Sequence, residues 1–238
     1  MLFYIIRHGI PDYATNTLLP EGAAQAELCA ERLSKREFKA IYSSPYGRAI
    51  ETARPLAEKL GLPVQIEEWA YELGEESKTE YPDGVRKLVS NVKGTYYHQE
   101  RFLGLTVEEA FEKVEAFPPP FKERYESISR GLDDLLKRHG YARNKAGTYD
   151  VTEGNRDRIA LFCHGGMERV LLSHMFHIPY PIVAHSIQVP TTGITIVYFP
   201  EEPEEEGAAM PVLSTLGDIG HLTDEAELCR HYVSKEVL

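Results

Sequence analysis

Leu2-Phe3-Tyr4-Ile5-Ile6-Arg7-His8-Gly9 opens the chain with a short apolar run that ends in a cation, an imidazole and a glycine. The run from Leu2 to Ile6 has the length and composition of a buried strand. In open α/β sheets, ligands bind just outside the carboxyl ends of the strands. Arg7, His8 and Gly9 therefore occupy the place where a ligand would bind.

Two later segments repeat this arrangement of an apolar strand followed by polar residues. Lys39–Ser44 is a short strand, and Arg48 follows it in the first turn of the next helix. Arg158–Cys163 is the most apolar strand of the chain and ends in His164-Gly165-Gly166, which opens another helix. If these strands are parallel neighbours, two histidines, two arginines and two helix N-termini meet at one edge of a sheet.

Alternating strand and helix patterns predict the fold class. Apolar residues recur at helical spacing in the predicted helices, and short apolar runs mark the further strands. The helices are predicted at 21–38, 46–60, 106 to about 117, 121–139 and after 166, and the further strands at 64–66, 194–199 and 211–214. Strands that alternate with helices favour a three-layer α/β/α fold with a mostly parallel central sheet.

Some segments of the chain interrupt this pattern. Pro55 lies inside the second helical pattern, so we expect a kink there or two short helices. Residues 141–157 are polar and rich in Asn, Gly and Thr, which favours a loop. The span 69–157 is predicted to contain a cap-like insertion over the active site, together with helices. We expect residues 1–238 to form a single domain.

The charge of the chain limits its partners. Its 238 residues carry a formal net charge of -11, which argues against a general nucleic-acid or anionic-membrane binder. A small phosphorylated substrate remains compatible with this charge, because a few arginines can build a local positive pocket.

The cysteines and the apolar runs bear on the compartment. The three cysteines form no C-x-x-C pair, which fits a reducing compartment without a disulfide framework. The chain starts directly in a strand without a leader pattern, and no apolar run approaches the ~18 residues of a membrane span. We therefore expect a cytoplasmic protein.

The residues at the three strand ends suit phosphoryl chemistry. Arginine binds phosphate through a bidentate fork, and free N–H groups at helix N-termini favour anions. Nearby guanidinium groups lower the pKa of a histidine, and the neutral imidazole is a nucleophile. The leaving alkoxide needs a proton, and the stretch Glu67–Gly74 after the third strand supplies candidate carboxyl groups.

These segments together resemble the histidine phosphatase superfamily, the fold shared by acid phosphatases and phosphoglycerate mutases. Arg7-His8-Gly9 matches its R-H-G signature, and Ser43–Ala53 resembles its S-S-P-x-x-R-A-x-x-T-A element. Leu18–Leu33 is similar to the L-T-x-x-G-x-x-Q-A helix start, and Phe162–Gly166 to the segment with the second histidine. The resemblance covers the start of the chain to about Ala57 and again 158–176.

The resemblance implies a role for each matching residue. His8 would accept the phosphoryl group, and His164 would be the second catalytic histidine. The residues implied to bind phosphate are Arg7, Arg48, Gly9 and Gly165. The family acid lies in an L-x-E pattern after the third strand, where Glu72 fits best although Ala70 replaces the leucine; Glu75 and Glu68 remain alternatives.

Three further polar residues are candidates for contact with the substrate: Asn16, Ser44 and His185. The mutases carry an asparagine six residues after the nucleophile; here Ala14 has that place and Asn16 comes two residues later. His185 precedes a predicted strand, and an ordinary surface or core role is the simpler interpretation for it.

Departures from the family pattern favour a phosphatase over a mutase. Ile10-Pro11 follows R-H-G where Glu or Gln and then Thr or Ser are usual, and the E-R-H-Y-G element of the mutases is absent. The resulting prediction is a phosphomonoester hydrolase that acts on a small phosphorylated metabolite through a phosphohistidine. The alternatives are a mutase-type phosphotransferase and a non-catalytic protein that binds a phosphorylated ligand.

No cofactor and no metal ion are expected in this site. A metal site formed by His8, His164 and a carboxylate is disfavoured, because two neighbouring arginines would repel a divalent cation.

Overall fold

The structure, a computed structural model, is built on a six-stranded sheet. It describes residues 1–80, 84–92, 94–97, 102, 104–203 and 208–222. The strands in chain order are β1 (Leu2–Arg7), β2 (Pro11–Asp12), β3 (Thr17–Leu18), β4 (Ala40–Ser43), β5 (Val64–Ile66), β6 (Lys78–Glu80), β7 (Arg86–Leu88), β8 (Tyr141–Arg143), β9 (Tyr149–Val151), β10 (Arg158–Cys163), β11 (Ile194–Tyr198), β12 (Ala208–Ala209) and β13 (Val212–Asp218).

The helices lie between these strands. In chain order they are α1 (Pro20–Leu33), α2 (Gly47–Leu60), α3 (Gly94–Tyr97), α4 (Val107–Lys113), α5 (Pro119–Arg138), α6 (Gly165–Phe176) and α7 (Tyr180–Ser186). Within the described ranges, no helix is both long and apolar enough to cross a membrane.

The central sheet has the strand order β13-β11-β1-β10-β4-β5. Its strands β1, β10, β4 and β5 are parallel neighbours, whereas β11 and β13 pair antiparallel at one side. The prediction of a mostly parallel sheet is confirmed. The predicted strand at 211–214 is part of β13, which lies at one edge of the sheet.

Side chains of the central strands alternate between two apolar layers, as the two-residue period of a strand requires. Tyr4 and Ile6 pack with residues of α1 and α2 in one cluster. Phe3 and Ile5 pack on the opposite face, in a cluster that includes residues of α5, α6 and α7. The three-layer α/β/α prediction is therefore confirmed.

The second helix differs from its prediction at Pro55. The structure has one continuous helix, Gly47–Leu60, so the alternative of two short helices is wrong, while the alternative of a kink stays a prediction. Buried residues lie on both sides of the proline, among them Thr52, Ala53, Leu56 and Ala57, and their packing holds the helix together there. Gly61 ends it in the left-handed conformation with φ 65°, as expected for a helix C-terminus.

The prediction of a loop over 141–157 is wrong in part. Strands β8 and β9 pair antiparallel, and β12 adds to β9. The Asn144 side chain accepts the N–H groups of Ala146 and Thr148 and closes the turn between the two strands. Tyr141 and Tyr149 are fully buried, so these short polar-looking strands are anchored by one aromatic residue each.

Helix ends also differ from the predictions. Helix α1 stops at Leu33 instead of Phe38, because the chain turns at Ser34. The predicted capping box at Thr106 and Glu109 is confirmed, but α4 ends at Lys113 rather than near Phe117. Of the three prolines at 118–120, Pro118 precedes α5. Pro119 and Pro120 are the first two residues of the helix, where a missing N–H costs no helical hydrogen bond.

The span 69–157 contributes to both the core and the surface. Helix α5 packs against α6 and adds Phe121, Ile128 and Leu132 to the apolar core. The described residues before it form short turns, the antiparallel pair β6–β7, α3 and α4. That this part covers the active site, and that the chain forms one domain, both stay predictions.

Candidate active site

The register of the sheet brings the three polar strand ends together. Arg7 of β1 pairs with Cys163 of β10, and Phe162 of β10 pairs with Ser43 of β4. His8, His164 and Ser44 therefore leave three adjacent parallel strands at the same level. The ring centroids of His8 and His164 lie 5.1 Å apart.

The surroundings of His8 keep its imidazole neutral and oriented. The side chain is buried, and its Nδ1 lies 2.7 Å from the Gly9 carbonyl oxygen. A carbonyl only accepts, so Nδ1 carries the proton and Nε2 keeps its lone pair. Burial lowers the pKa of His8 to about 3, and the charge of Arg7 is the next largest cause. The hydrogen bond to Gly9 raises this pKa by a smaller amount, and the charge of Arg48, the smallest of the four effects, lowers it.

His164 is the second buried imidazole of the site. Its Nε2 lies 2.7 Å from Ser44 Oγ, which also accepts the Tyr46 N–H. Its Nδ1 has no hydrogen-bond partner among the described residues. Burial lowers the pKa of His164 well below its usual value, and the neighbouring His8, Arg48, Arg7 and Arg124 lower it further.

Arg7 and Arg48 supply positive charge next to the two histidines. Arg7 Nη1 donates to the Val189 carbonyl at 2.6 Å, and Arg48 Nη1 donates to Asn16 Oδ1 at 2.6 Å. The Nε atoms of both arginines are buried and have no hydrogen-bond partner in the described part of the chain. Buried donors are normally paired. These two, with His164 Nδ1, leave hydrogen-bonding capacity that an anionic group can use.

Asn16 and Tyr46 hold Arg48 in place. Asn16 adopts a positive φ of 59°, and its Oδ1 accepts from the guanidinium. The Arg48 guanidinium carbon lies 4.8 Å from the centroid of the Tyr46 ring, a cation–π distance. Tyr46 in turn lies edge-on to His164, with centroids 5.2 Å apart. Asn16, a predicted substrate contact, is thus bonded to a predicted phosphate-binding arginine.

The two glycines that follow the histidines have different surroundings. The N–H of Gly9 donates to Thr52 Oγ1 at 2.9 Å, and a Cβ on Gly9 would lie 2.5 Å from the Gly22 carbonyl oxygen. Because Gly9 has no side chain, the backbone that follows β1 lies close to Gly22 of α1. A Cβ on Gly165 would lie 3.2 Å from Arg7 Nε, so this glycine leaves room for the Arg7 side chain.

Of the three candidate acids, Glu72 lies at the N-terminus of α6. Its carboxylate accepts the N–H groups of Leu73, Gly166 and Met167 at 2.8–3.1 Å. A Cβ on Gly166 would lie 2.7 Å from Glu72 Oε1, so the second glycine of His164-Gly165-Gly166 makes room for this carboxylate. Burial lowers the pKa of Arg48, and the negative charge of Glu72 raises it by a smaller amount, which places the carboxylate near this predicted phosphate-binding arginine.

The other two candidate acids lie on the surface. Glu68 is exposed, and Glu75 is exposed and paired with Lys78 and Arg86. The geometry therefore favours Glu72 over both.

His185 lies on α7 and not directly before a strand. Its Nδ1 faces the Pro181 carbonyl of the same helix, and the side chain is half-buried. It does not belong to the three strand ends that carry His8, Ser44 and His164.

Two buried titratable residues near the site were not predicted from the sequence. Arg124 of α5 is buried, and its charge lowers the pKa of His164. Glu168 of α6 is fully buried, and burial raises the pKa of its carboxyl to about 8, against the smaller effects of Thr195, Arg7 and Arg169. Arg124 falls on the apolar stripe of the predicted helix at 121–139, and a charged residue on such a stripe was the available signal.

The described residues contain no group of three or more His, Cys, Asp or Glu side chains placed to hold a metal ion. The thiol next to His164 is also unsuited to nucleophilic attack, because Cys163 is fully buried and burial raises its pKa well above the usual value.

Comparison with known proteins gives a family match over the first part of the chain. Residues 3–92 match the model of the histidine phosphatase superfamily (branch 1). Phosphoserine phosphatase 1 of Hydrogenobacter thermophilus is 30% identical over 118 residues, which are 45% of this chain and 54% of that protein. The match thus spans about half the length of this curated relative.

Solved structures share the fold over most of the chain. A phosphoserine phosphatase mutant from Entamoeba histolytica, crystallised with phosphoserine, has a TM-score of 0.62 and 21% identity, and covers 93% of this chain and 98% of its own. A mycobacterial glucosyl-3-phosphoglycerate phosphatase has a TM-score of 0.58 and 18% identity. The match covers 91% of this chain and 98% of that one. The chain is therefore similar to the histidine phosphatase superfamily over residues 3–92, and it shares the fold of these two phosphatases over nine-tenths of its length.

Proposed function

We propose that the protein is a phosphomonoester hydrolase that acts on a small phosphorylated metabolite through a phosphohistidine on His8. The observation that carries the proposal is the pair of buried imidazoles, 5.1 Å apart, between two arginines whose Nε atoms have no partner among the described residues. This arrangement fits a tetrahedral dianion, because guanidinium groups neutralise its oxygens while a neutral imidazole attacks its phosphorus.

In the first step, His8 Nε2 attacks the phosphorus and the bond from phosphorus to the ester oxygen breaks. The hydrogen bond from Nδ1 to the Gly9 carbonyl supports the attack, since it fixes the ring orientation and stabilises the charge that develops on the imidazole. Glu72 gives its proton to the leaving ester oxygen, and the alcohol departs. Arg7, Arg48 and His164 hold the oxygens of the transferring phosphoryl group.

In the second step, water attacks the phosphohistidine. Glu72 takes the proton of the water, the bond from phosphorus to Nε2 breaks, and inorganic phosphate leaves. The neutral His8 and the protonated Glu72 are restored.

His8→Ala tests the proposal. We expect the variant to lose turnover of an aryl phosphate by at least about a thousandfold while its fold, judged by circular dichroism and thermal unfolding, is retained. His139→Ala, which changes a histidine that is hydrogen-bonded to Tyr42 and belongs to none of the three strand ends, is the matched control and should keep its activity. Substantial activity in His8→Ala would overturn the assignment.

An assay of the unchanged protein with 3-phosphoglycerate separates the alternative functions. Release of inorganic phosphate from 3-phosphoglycerate supports a hydrolase, whereas its conversion to 2-phosphoglycerate without phosphate release would indicate a mutase. Phosphate binding without any turnover would indicate a non-catalytic protein.

The proposal also includes the compartment and the partners. We place the enzyme in the cytoplasm, supported by the free, buried thiols of Cys29 and Cys163; Cys229 lies outside the described residues. The net charge of -11 supports a small anionic substrate held by local arginines, rather than nucleic acid.

A further inference from the structure

The segment that carries Glu72 is held by helix α5 through one buried cation. Arg124 Nη2 donates to the carbonyl oxygens of Trp69 at 2.9 Å and of Tyr71 at 2.5 Å. These two carbonyls lie directly before Glu72 in the chain. The Arg124 guanidinium carbon also lies 3.4 Å from the centroid of the Tyr71 ring, so the side chain contacts the residue next to Glu72 in two ways.

Helix α5 adds contacts to the same segment. A Cβ on Gly131 would lie 2.2 Å from the Trp69 ring, so this ring lies directly against the helix backbone. Trp69 Nε1 donates to Glu67 Oε2 at 2.6 Å, and Arg138 pairs with the other oxygen of Glu67. The chain from Glu67 to Tyr71 is thus fixed along one face of α5.

The carboxylate of Glu72 is held from the opposite side. Its oxygens accept N–H groups from Gly166 and Met167 at the start of α6. The backbone before Glu72 is therefore tied to α5 and its side chain to α6. A displacement of either support moves the carboxylate relative to His8 and the arginines.

A buried guanidinium is costly, and apolar packing alone would not require one at this position. The side chain of Arg124 is only 3% exposed, and its nearest acidic partner, Glu76, lies 3.9 Å from Nε. What the guanidinium provides and an apolar residue cannot is a donor that reaches two backbone carbonyls at once.

We infer that Arg124 is a positioning residue that holds Glu72 where it protonates the leaving alcohol. The inference rests on the proposed function, because it concerns the acid of the first step. This role requires no contact between Arg124 and the reacting groups. Its effect is transmitted through the backbone at Trp69 and Tyr71.

The dependence of rate on the leaving group tests this role. An alkoxide needs a proton from the acid, whereas a nitrophenolate leaves without one. Arg124→Lys, which keeps the charge but loses the Nη2 atom that donates to both carbonyls, should lower kcat/KM for an alkyl phosphate at least about tenfold more than for p-nitrophenyl phosphate. Arg130→Lys, an exposed change on the same helix, is the control and should lower neither value.

A double-mutant cycle with Glu72→Gln shows whether Arg124 acts through Glu72. We expect Glu72→Gln to have the same bias against alkyl phosphates, and Arg124→Lys to add less than about twofold in that background. An equal loss on both substrates in Arg124→Lys, or full additivity with Glu72→Gln, would overturn the inference while the role of Glu72 stands. If Glu72→Gln itself shows no bias, the proposed acid is wrong and the inference fails with it.

Discussion

The buried carboxyl of Glu168 makes stability depend on pH in a way that Glu168→Gln removes. In the folded protein its pKa is raised from 4.5 to about 8, mainly by burial. Between these values the folded protein retains a proton that the unfolded chain releases. The free energy of unfolding therefore falls as pH rises through this range, and the stabilisation is fully present only below the unfolded value.

The magnitude follows from the two pKa values. From about pH 5 to about pH 7.5, the ionisation of Glu168 in the unfolded chain should lower the free energy of unfolding by about 3 kcal/mol. Glutamine has the same shape and no titration. At about pH 5 the free energy of unfolding of Glu168→Gln should lie within about 1 kcal/mol of the wild-type value. As the pH rises, the variant should become more stable relative to the wild type.

Urea denaturation of both proteins at the two pH values measures the difference. Glu112→Gln, which removes an exposed carboxyl on α4, is the matched control and should follow the wild type at both pH values. A difference between Glu168→Gln and the wild type that stays constant with pH would refute the reasoning. The result also bears on the site, because a protonated Glu168 leaves the charge of Arg7 uncompensated at neutral pH.

Three further predictions concern the site. Gly9→Ala places a methyl group 2.5 Å from the Gly22 carbonyl oxygen, and thermal unfolding should show a loss of about 2 kcal/mol; an unchanged Tm would contradict the close approach. Asn16→Gly keeps the positive φ but removes the acceptor for Arg48, so inhibition by inorganic phosphate should weaken about tenfold; unchanged inhibition would argue against this support. Because the pKa of His8 is lowered to about 3, the imidazole is already neutral above about pH 4, and the NMR signals of the His8 ring should show no titration near the usual histidine pKa; a titration of these signals near that value would contradict the burial of His8.

The sequence predicted the parts of the site that lie at strand ends. Apolar runs such as Leu2–Ile6 and Arg158–Cys163 identify buried strands. Because the strands of a parallel sheet run in the same direction, their carboxyl ends lie at the same edge of the sheet. The convergence of His8, Arg48 and His164 follows from that rule, and the registers of β1, β10 and β4 agree with it.

The parts that were missed depend on contacts between segments distant in sequence. The sequence pattern around Arg124 does not predict its contacts with the carbonyls of Trp69 and Tyr71, which lie 55 and 53 residues away. The β8–β9 hairpin was missed because its strands have only three residues each, too few for a period to be seen. Pro55 was overestimated as a helix breaker, because a single lost hydrogen bond is offset by buried side chains on both sides.

The structure ranks the candidate acids more sharply than the sequence does. Glu68, Glu72 and Glu75 lie within eight residues of one another, and the sequence pattern ranked them only weakly. Their environments separate them, since Glu72 accepts two N–H groups from α6 and the others are exposed.

The measurement that tests the central claim most directly is capture of the phosphorylated enzyme. The protein, and its Glu72→Gln variant in which hydrolysis of the intermediate should be slowed, are mixed with an aryl phosphate that carries labelled phosphorus and quenched in alkali, where phosphohistidine survives. Peptide mapping should place the label on His8, on at most one site per chain, and no label should remain on His8→Ala. Label on another residue, or turnover by both active proteins with no label on any histidine, would contradict nucleophilic attack by His8.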